Sequence, residues 1–291
     1  MTQVLSKAEL ILNSTGRIYH LDLAPDEVAH TIFLVGDPDR VSLVSQCFDR
    51  IELKRQHREF ITHTGYVGSH RVSVVSTGIS SANIDIVLNE LDALANIDFA
   101  SRQVKPKLTQ LKLIRVGTAG SLQKDIELDS FVATSMGIEL GSLLHFYPKP
   151  YSDEEKIIRH SLIEKLHLDQ YGISVSVSAA NQALLNRFKE SCHLGMTVTC
   201  PGFYAPQGRF LRATPVMPTM ISDLSQFQYE AYRILNLEME TAAIYGLGQV
   251  FNHQCLSLSA IVAQRLTGHF TTQLQQSVLQ LIELAIEKVL E

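Results

Sequence analysis

The chain has 291 residues, 45% of them hydrophobic and 19% charged, against roughly 25% charged in ordinary soluble chains; this is enough for a sizeable core. Twenty-five basic and thirty acidic residues leave a net charge of −5, which excludes the basic footprint of a nucleic-acid binder. No apolar run approaches the ~20 residues of a membrane helix, and residues 1–16 lack the basic-then-apolar pattern of a secretory leader, so a cytoplasmic protein without membrane partners is expected.

Thr31–Val35 (TIFLV) is a short apolar run that stops at Gly36-Asp37-Pro38, a buried strand meeting a turn. Pro38 suits the first turn of a helix running to about residue 47. Residues 70–77 (HRVSVVST) form a β-branched run ending at Gly78. Behind it, Ile84, Val87, Leu88, Leu91 and Leu94 recur at helical spacing over 81–95. Residues 96–110 are polar and read as a surface excursion. A third strand over 111–116 reaches a glycine turn, Gly117-Thr118-Ala119-Gly120. Further strands are expected at 173–177 and 256–263, and helices at 240–249 and 271–290. Alternation of this kind, with no repeat and no clear linker, predicts one α/β domain over residues 1–291 with a mixed or parallel central sheet.

Three strands thus end in glycine turns, two with an arginine close by, Arg40 and Arg115. Ligands in open α/β sheets bind beyond the carboxyl ends of the strands, where glycine lets backbone N–H groups approach an anion. Neither GxGxxG nor GxxxxGK[ST] is present, and each turn taken singly also reads as a plain structural turn. The chemistry alone stops at binding a small anion. Glu238 and Glu240 lie two apart where a strand-like piece meets a helix. They could accept from sugar hydroxyls, but composition leans towards a solvated helix start. Phe203-Tyr204-Ala205-Pro206-Gln207-Gly208-Arg209 is either an ordinary turn or a loop able to read a flat, amide-bearing ring, since glutamine both donates and accepts. Cys47, Cys192, Cys200 and Cys255 have no zinc spacing and the eleven histidines form no HExxH, so reduced, mostly buried thiols and no metal ligation are expected.

Taken in order, GDPDR (36–40), REF (58–60), STGI (76–79), RVGTAG (115–120), FYxxQxR (203–209) and NLEMET (236–241) resemble the nucleoside phosphorylase superfamily and, within it, the uridine phosphorylase branch, over about residues 20–265. The resemblance implies a single α/β domain with a mixed central β-sheet flanked by helices. It implies a pentosyltransferase that splits uridine with inorganic phosphate into uracil and ribose 1-phosphate, reversibly, without a further cofactor. It also implies a homo-oligomer, dimer or hexamer, with sites shared between subunits. Phosphate would be held by Gly36, Arg40, Arg115 and Thr118, with Arg58 from the neighbouring chain. The nucleoside would meet His20 of the neighbour at its 5′-hydroxyl, Glu238, Met239 and Glu240 at the ribose, and Phe203, Gln207 and Arg209 at the base. Arg265 would support Gln207. Arg115, Gln207, Arg209 and Glu240 form the implied catalytic set.

The chain departs from the family pattern in places. Gln264 stands where the family has asparagine, and Asn83 replaces a serine of a monovalent-cation site that keeps Glu59 and Ile79; a potassium ion is therefore allowed rather than implied. Residues 96–110 look longer than the usual connection. Purine-specific relatives carry a Ser-Asp pair where this chain has Gln264-Arg265, and Ser222-Asp223 lies upstream and reads as a helix cap. The competing readings are a purine or broad-specificity phosphorylase, a nucleosidase, which would not need the phosphate arginines, and a non-catalytic nucleoside-binding homologue.

Overall fold

A computed structural model describes residues 4–291; the first three residues of the segment read as lacking a leader lie outside the described residues. In chain order, β1 (Thr31–Val35) leads into α1 (Pro38–Ser45), followed by the hairpin of β2 (Arg50–His57) and β3 (Phe60–Val67). β4 (His70–Ser76) precedes α2 (Ser81–Asn96), and a small hairpin, β5 (Ile97–Asp98) with β6 (Gln103–Val104), occupies the polar excursion. The long strands β7 (Lys112–Ser121) and β8 (Phe131–Leu140) come next, then α3 (Asp153–Leu166), β9 (Val175–Ala179), α4 (Gln182–Asn186) and β10 (His193–Thr199). The last part holds α5 (Met220–Ser225), β11 (Gln228–Tyr229), β12 (Tyr232–Glu238), α6 (Thr241–Phe251), β13 (Gln254–Gln264), β14 (His269–Phe270) and α7 (Leu274–Leu290).

These strands build one mixed sheet in the order β11-β12-β10-β8-β13-β7-β1-β4-β3-β2. β1 runs parallel to β4 and β7, and β7 parallel to β13, so these four strands deliver their carboxyl ends to one edge. β12 bonds both β10 and β7, so β7, β13, β8, β10 and β12 close into a ring. Side chains of β1 alternate across the sheet as strand geometry requires. Ile32 and Leu34 join a core with Ile84, Leu88, Ile244 and Leu247 of α2 and α6; Phe33 and Val35 join another with Val41 and Val44 of α1 and Leu281 and Ile282 of α7. The sheet therefore carries helices on both faces, and each such buried side chain is worth roughly 1.5–3 kcal/mol.

Two expectations need correcting. Gly117-Thr118-Ala119-Gly120 is no turn: β7 continues through it, because β13 pairs with it from Ser259 opposite Gly117 to Gln264 opposite Ser121. Ser222-Asp223 is no cap: Thr219 is the N-cap of α5, and the Ser222 hydroxyl donates back to the Thr219 carbonyl at 2.7 Å. Among the described residues no helix is long and apolar enough to cross a membrane.

Candidate active site

A cleft of about 670 Å³ opens at the carboxyl ends of the parallel strands. Gly36 and Arg40 reach it from the end of β1 and from α1, Gly78 from behind β4, and Thr118 from within β7. Asp37 caps α1 by accepting from the Asp39 N–H at 3.0 Å, which fixes a helix start beside Gly36. Helix starts of this kind favour anions. Arg40 makes one long bond, to the Val116 carbonyl at 3.4 Å. Burial, with the Arg115 charge beside it, pulls its pKa below the ordinary arginine value.

Arg115 is 6% exposed and lies at the centre of the charged wall. Its Nη2 donates to Glu240 at 2.7 Å and lies 3.1 Å from a Glu238 carboxylate oxygen, while Nη1 leans on the hydroxyls of Ser259 and Ser257 at 3.4 and 3.5 Å. Burial works against its charge, but Glu238 and Glu240 outweigh that and raise its pKa. Burial, offset in part by Arg115, raises the pKa of Glu240, whose other oxygen accepts from the Ser80 N–H at 2.9 Å.

Glu238 and Glu240 are 4% and 5% exposed, so the solvated reading of this pair fails. The reason lies in how α6 begins. Glu238 accepts the backbone N–H of Glu240 at 2.8 Å and of Thr241 at 2.9 Å, and Thr199 Oγ1 accepts that of Ala242 at 2.9 Å. Orphan donors of the helix start, those of Thr241 and Ala242, are thus satisfied by buried side chains. Glu238 also accepts from the Thr199 hydroxyl at 2.6 Å, so both its oxygens are engaged by protein groups. It lines the cleft as a support, while Met239 and Glu240 line it beside it.

Phe203, Gln207 and Arg209 lie together on the loop after β10. A single 3₁₀ turn, Ala205–Gln207, ends at Gly208, whose φ of +63° reverses the chain between the two polar residues. Gln207 is only 2% exposed; its Oε1 accepts from Arg209 Nη1 at 2.5 Å, and the Arg209 guanidinium lies 3.9 Å from the centre of the Phe203 ring. Burial, and Arg265 nearby, lower the Arg209 pKa to about 10. It is Arg209, and not Arg265, that bonds Gln207. Arg265 packs its aliphatic stem on Gly120, and its buried Nη1 has no hydrogen-bond partner among the described residues. Gln264 turns away from the cleft and donates to the Gln123 and Ile126 carbonyls at 2.7 and 3.1 Å, a loop-anchoring role.

Glu59, Ile79 and Asn83 gather on the wall beside Gly78. His20 and Arg58 are not on the cleft wall of their own chain. They meet each other through Tyr19, whose hydroxyl accepts from Arg58 Nη2 at 3.2 Å and whose ring stands edge-on to His20 at 4.9 Å. Arg58 and Glu59 form the two-residue turn of the β2–β3 hairpin, with Arg58 at φ +55°, and only Glu59 lines the cleft.

Sequence reasoning missed Phe270 of β14, which closes one side of the cleft, and Thr199 and Ser80, which hold the two glutamates. No local signal marks them, because their roles come from contacts distant in sequence. Val262 and Ala263 complete the cleft near the end of β13.

Residues 30–291 match a family model described as the Phosphorylase superfamily. Uridine phosphorylase from Thermococcus kodakarensis is 27% identical over 270 residues, covering 93% of this chain and 86% of that protein. A DeoD-type purine nucleoside phosphorylase from Thermoanaerobacter sp. is 25% identical over 272 residues, 92% of this chain and 97% of that one. Among solved structures, a Trypanosoma brucei nucleoside phosphorylase described as showing uridine phosphorylase activity aligns with a TM-score of 0.90 at 26% identity, covering 97% of this chain and 99% of that one.

Proposed function

The chain belongs to the phosphorylase superfamily, and on that premise we propose that it catalyses the reversible phosphorolysis of uridine to uracil and ribose 1-phosphate. The observation that carries this reading is the distribution of charge in the cleft. Its acidic residues are Asp37, Glu59, Glu238 and Glu240, none of them from the loop that bears Gln207 and Arg209 or from the end of β13. A base held there meets an amide and a guanidinium and no carboxyl group. That suits a pyrimidine leaving as an anion, with its charge spread over O2 and O4, better than a purine that takes a proton at N7.

In this mechanism inorganic phosphate is held by Gly36, Arg40, Arg115 and Thr118, with Arg58 from a neighbouring copy. Its oxygen forms a bond to C1′ as the bond from C1′ to N1 breaks, and the electron pair leaves with uracil. Guanidinium forks match phosphate oxygens, and fixing the nucleophile in line removes much of the entropic barrier. Glu240 and Met239 orient the ribose, with Glu238 fixing Arg115 and Glu240 from behind. Phe203 packs beside sugar and base, and Gln207 and Arg209 stabilise the charge that develops on the carbonyls. Arg265 lies next to Arg209 and adds positive potential at the same edge.

The working unit in this reading is a dimer or hexamer in the cytoplasm. Glu59, Ile79 and Asn83 carry oxygen donors that a potassium ion would use, and no step depends on one. The test is turnover of uridine and inosine side by side in phosphate. Uridine should be consumed with inosine inert, and Arg209→Ala should lower kcat/KM for uridine by at least about tenfold, the scale of a lost charge-assisted hydrogen bond. Inosine turnover, or unchanged kinetics in the variant, would overturn the base assignment.

A further inference from the structure

Glu90 of α2 has no place in the scheme so far, yet its carboxylate organises the segment that carries His20. One oxygen lies 2.7 Å from His20 Nδ1, and the carboxylate also accepts the backbone N–H groups of His20 at 3.0 Å and Leu21 at 2.8 Å. The Glu90 side chain is 12% exposed and that of His20 26%. Phe60 stands edge-on to the imidazole at 6.4 Å, and His57 Nδ1 lies 2.9 Å from the His20 carbonyl. Backbone and ring of His20 are therefore held from several directions, two of them through the Glu90 carboxylate, which also holds the next residue, Leu21.

An ionised carboxylate only accepts hydrogen bonds, so the hydrogen between Glu90 and the ring belongs to Nδ1. In a neutral imidazole this leaves Nε2 as the acceptor. We propose that Glu90 is a positioning residue for recognition of the 5′-hydroxyl: it fixes the tautomer and aim of His20, so that Nε2 accepts the hydroxyl hydrogen of a nucleoside bound by the neighbouring copy. The inference rests on the reading of His20 as a residue given in trans to a uridine site. A 5′-deoxynucleoside has no hydrogen to offer Nε2. Carboxylates behind a histidine ligand act in this way at many sites, through orientation rather than contact with substrate.

The experiment measures kcat/KM for uridine and for 5′-deoxyuridine in the wild type, His20→Ala, Glu90→Gln and the double variant. The wild type should prefer uridine, His20→Ala should lower that preference about tenfold, and Glu90→Gln at least about threefold, the range of one net hydrogen bond. Turnover of 5′-deoxyuridine should stay near wild type in Glu90→Gln, and the double variant should match His20→Ala, because Glu90 acts only through His20. If Glu90→Gln does not fold, Glu90→Asp, which withdraws the carboxylate by one methylene, carries the same cycle. A full preference for uridine in the Glu90 variant, an equal loss on both substrates, or additive losses would overturn the role of Glu90. An undiminished preference in His20→Ala would instead overturn the His20 assignment, and a wild type inert towards uridine would overturn the reaction itself.

Discussion

Glu240 shows how much one carboxylate can do at the residue scale. It holds Arg115 with one oxygen and the Ser80 N–H with the other, tying β7, the start of α2 and the start of α6 to one point. Its sequence neighbourhood suggests a solvated acid, because nothing local reveals that the ring of strands buries it. A second carboxylate gives a test by pH. Glu27 accepts from Arg17 at 2.7 Å and from Arg55 at 3.1 Å, and the Arg17 hydrogen bond, against a smaller opposing effect of burial, holds its pKa at about 2 instead of 4.5. A carboxyl lowered by folding stabilises fully above its unfolded value and loses that contribution as pH falls through the folded one. The gap in Tm between the wild type and Glu27→Gln should therefore be widest above about pH 5 and close towards about pH 2. A gap that stays constant over that range would mean the ion pair contributes nothing.

At the element scale β7 is the most informative strand. Its glycines invite the reading of a turn, but Gly117 serves the packing of its own neighbour: a Cβ there would lie 2.2 Å from Arg115 Nη1 and 2.4 Å from Cζ. Gly117→Ala should push the guanidinium off Glu238 and Glu240, leaving buried carboxylates unpaired. The expected cost is about 3 kcal/mol or more in stability, with at least about a tenfold loss in kcat/KM for phosphate. Wild-type stability and kinetics in this variant would show that Arg115 has another resting place. Elsewhere, pattern and structure agree where the signal is local. TIFLV before Gly36 is β1, Pro38 opens α1, and the spaced apolar residues after Ser81 make α2. β2, with RIELKRQH, has too many charges to announce a strand and gains its partners only through the hairpin with β3. β8 and β10 depend on contacts distant in sequence, which no window along the chain contains.

For the whole molecule, one chain brings ten of the expected binding residues to a single cleft: Gly36, Arg40, Arg115, Thr118, Phe203, Gln207, Arg209, Glu238, Met239 and Glu240. As a set they were legible through the resemblance of their motifs to the family, while local chemistry alone stopped at a small-anion site and left Glu238 and Glu240 as solvated acids. Arg265 lies just behind the wall, on Gly120. His20 and Arg58 stand apart from it, clustered around Tyr19 and Glu90, as residues offered to a second copy would. Mixing Arg58→Ala with Arg115→Ala should restore activity, because in a mixed dimer one site of each pair regains both arginines. Confirmed mixed oligomers without recovery would contradict a shared site.

The most direct measurement is uracil release from uridine by the purified protein as phosphate is titrated from zero. A phosphorylase releases uracil only in the presence of phosphate and forms ribose 1-phosphate one for one with it. Release at the same rate without phosphate, yielding free ribose, would contradict the proposed reaction.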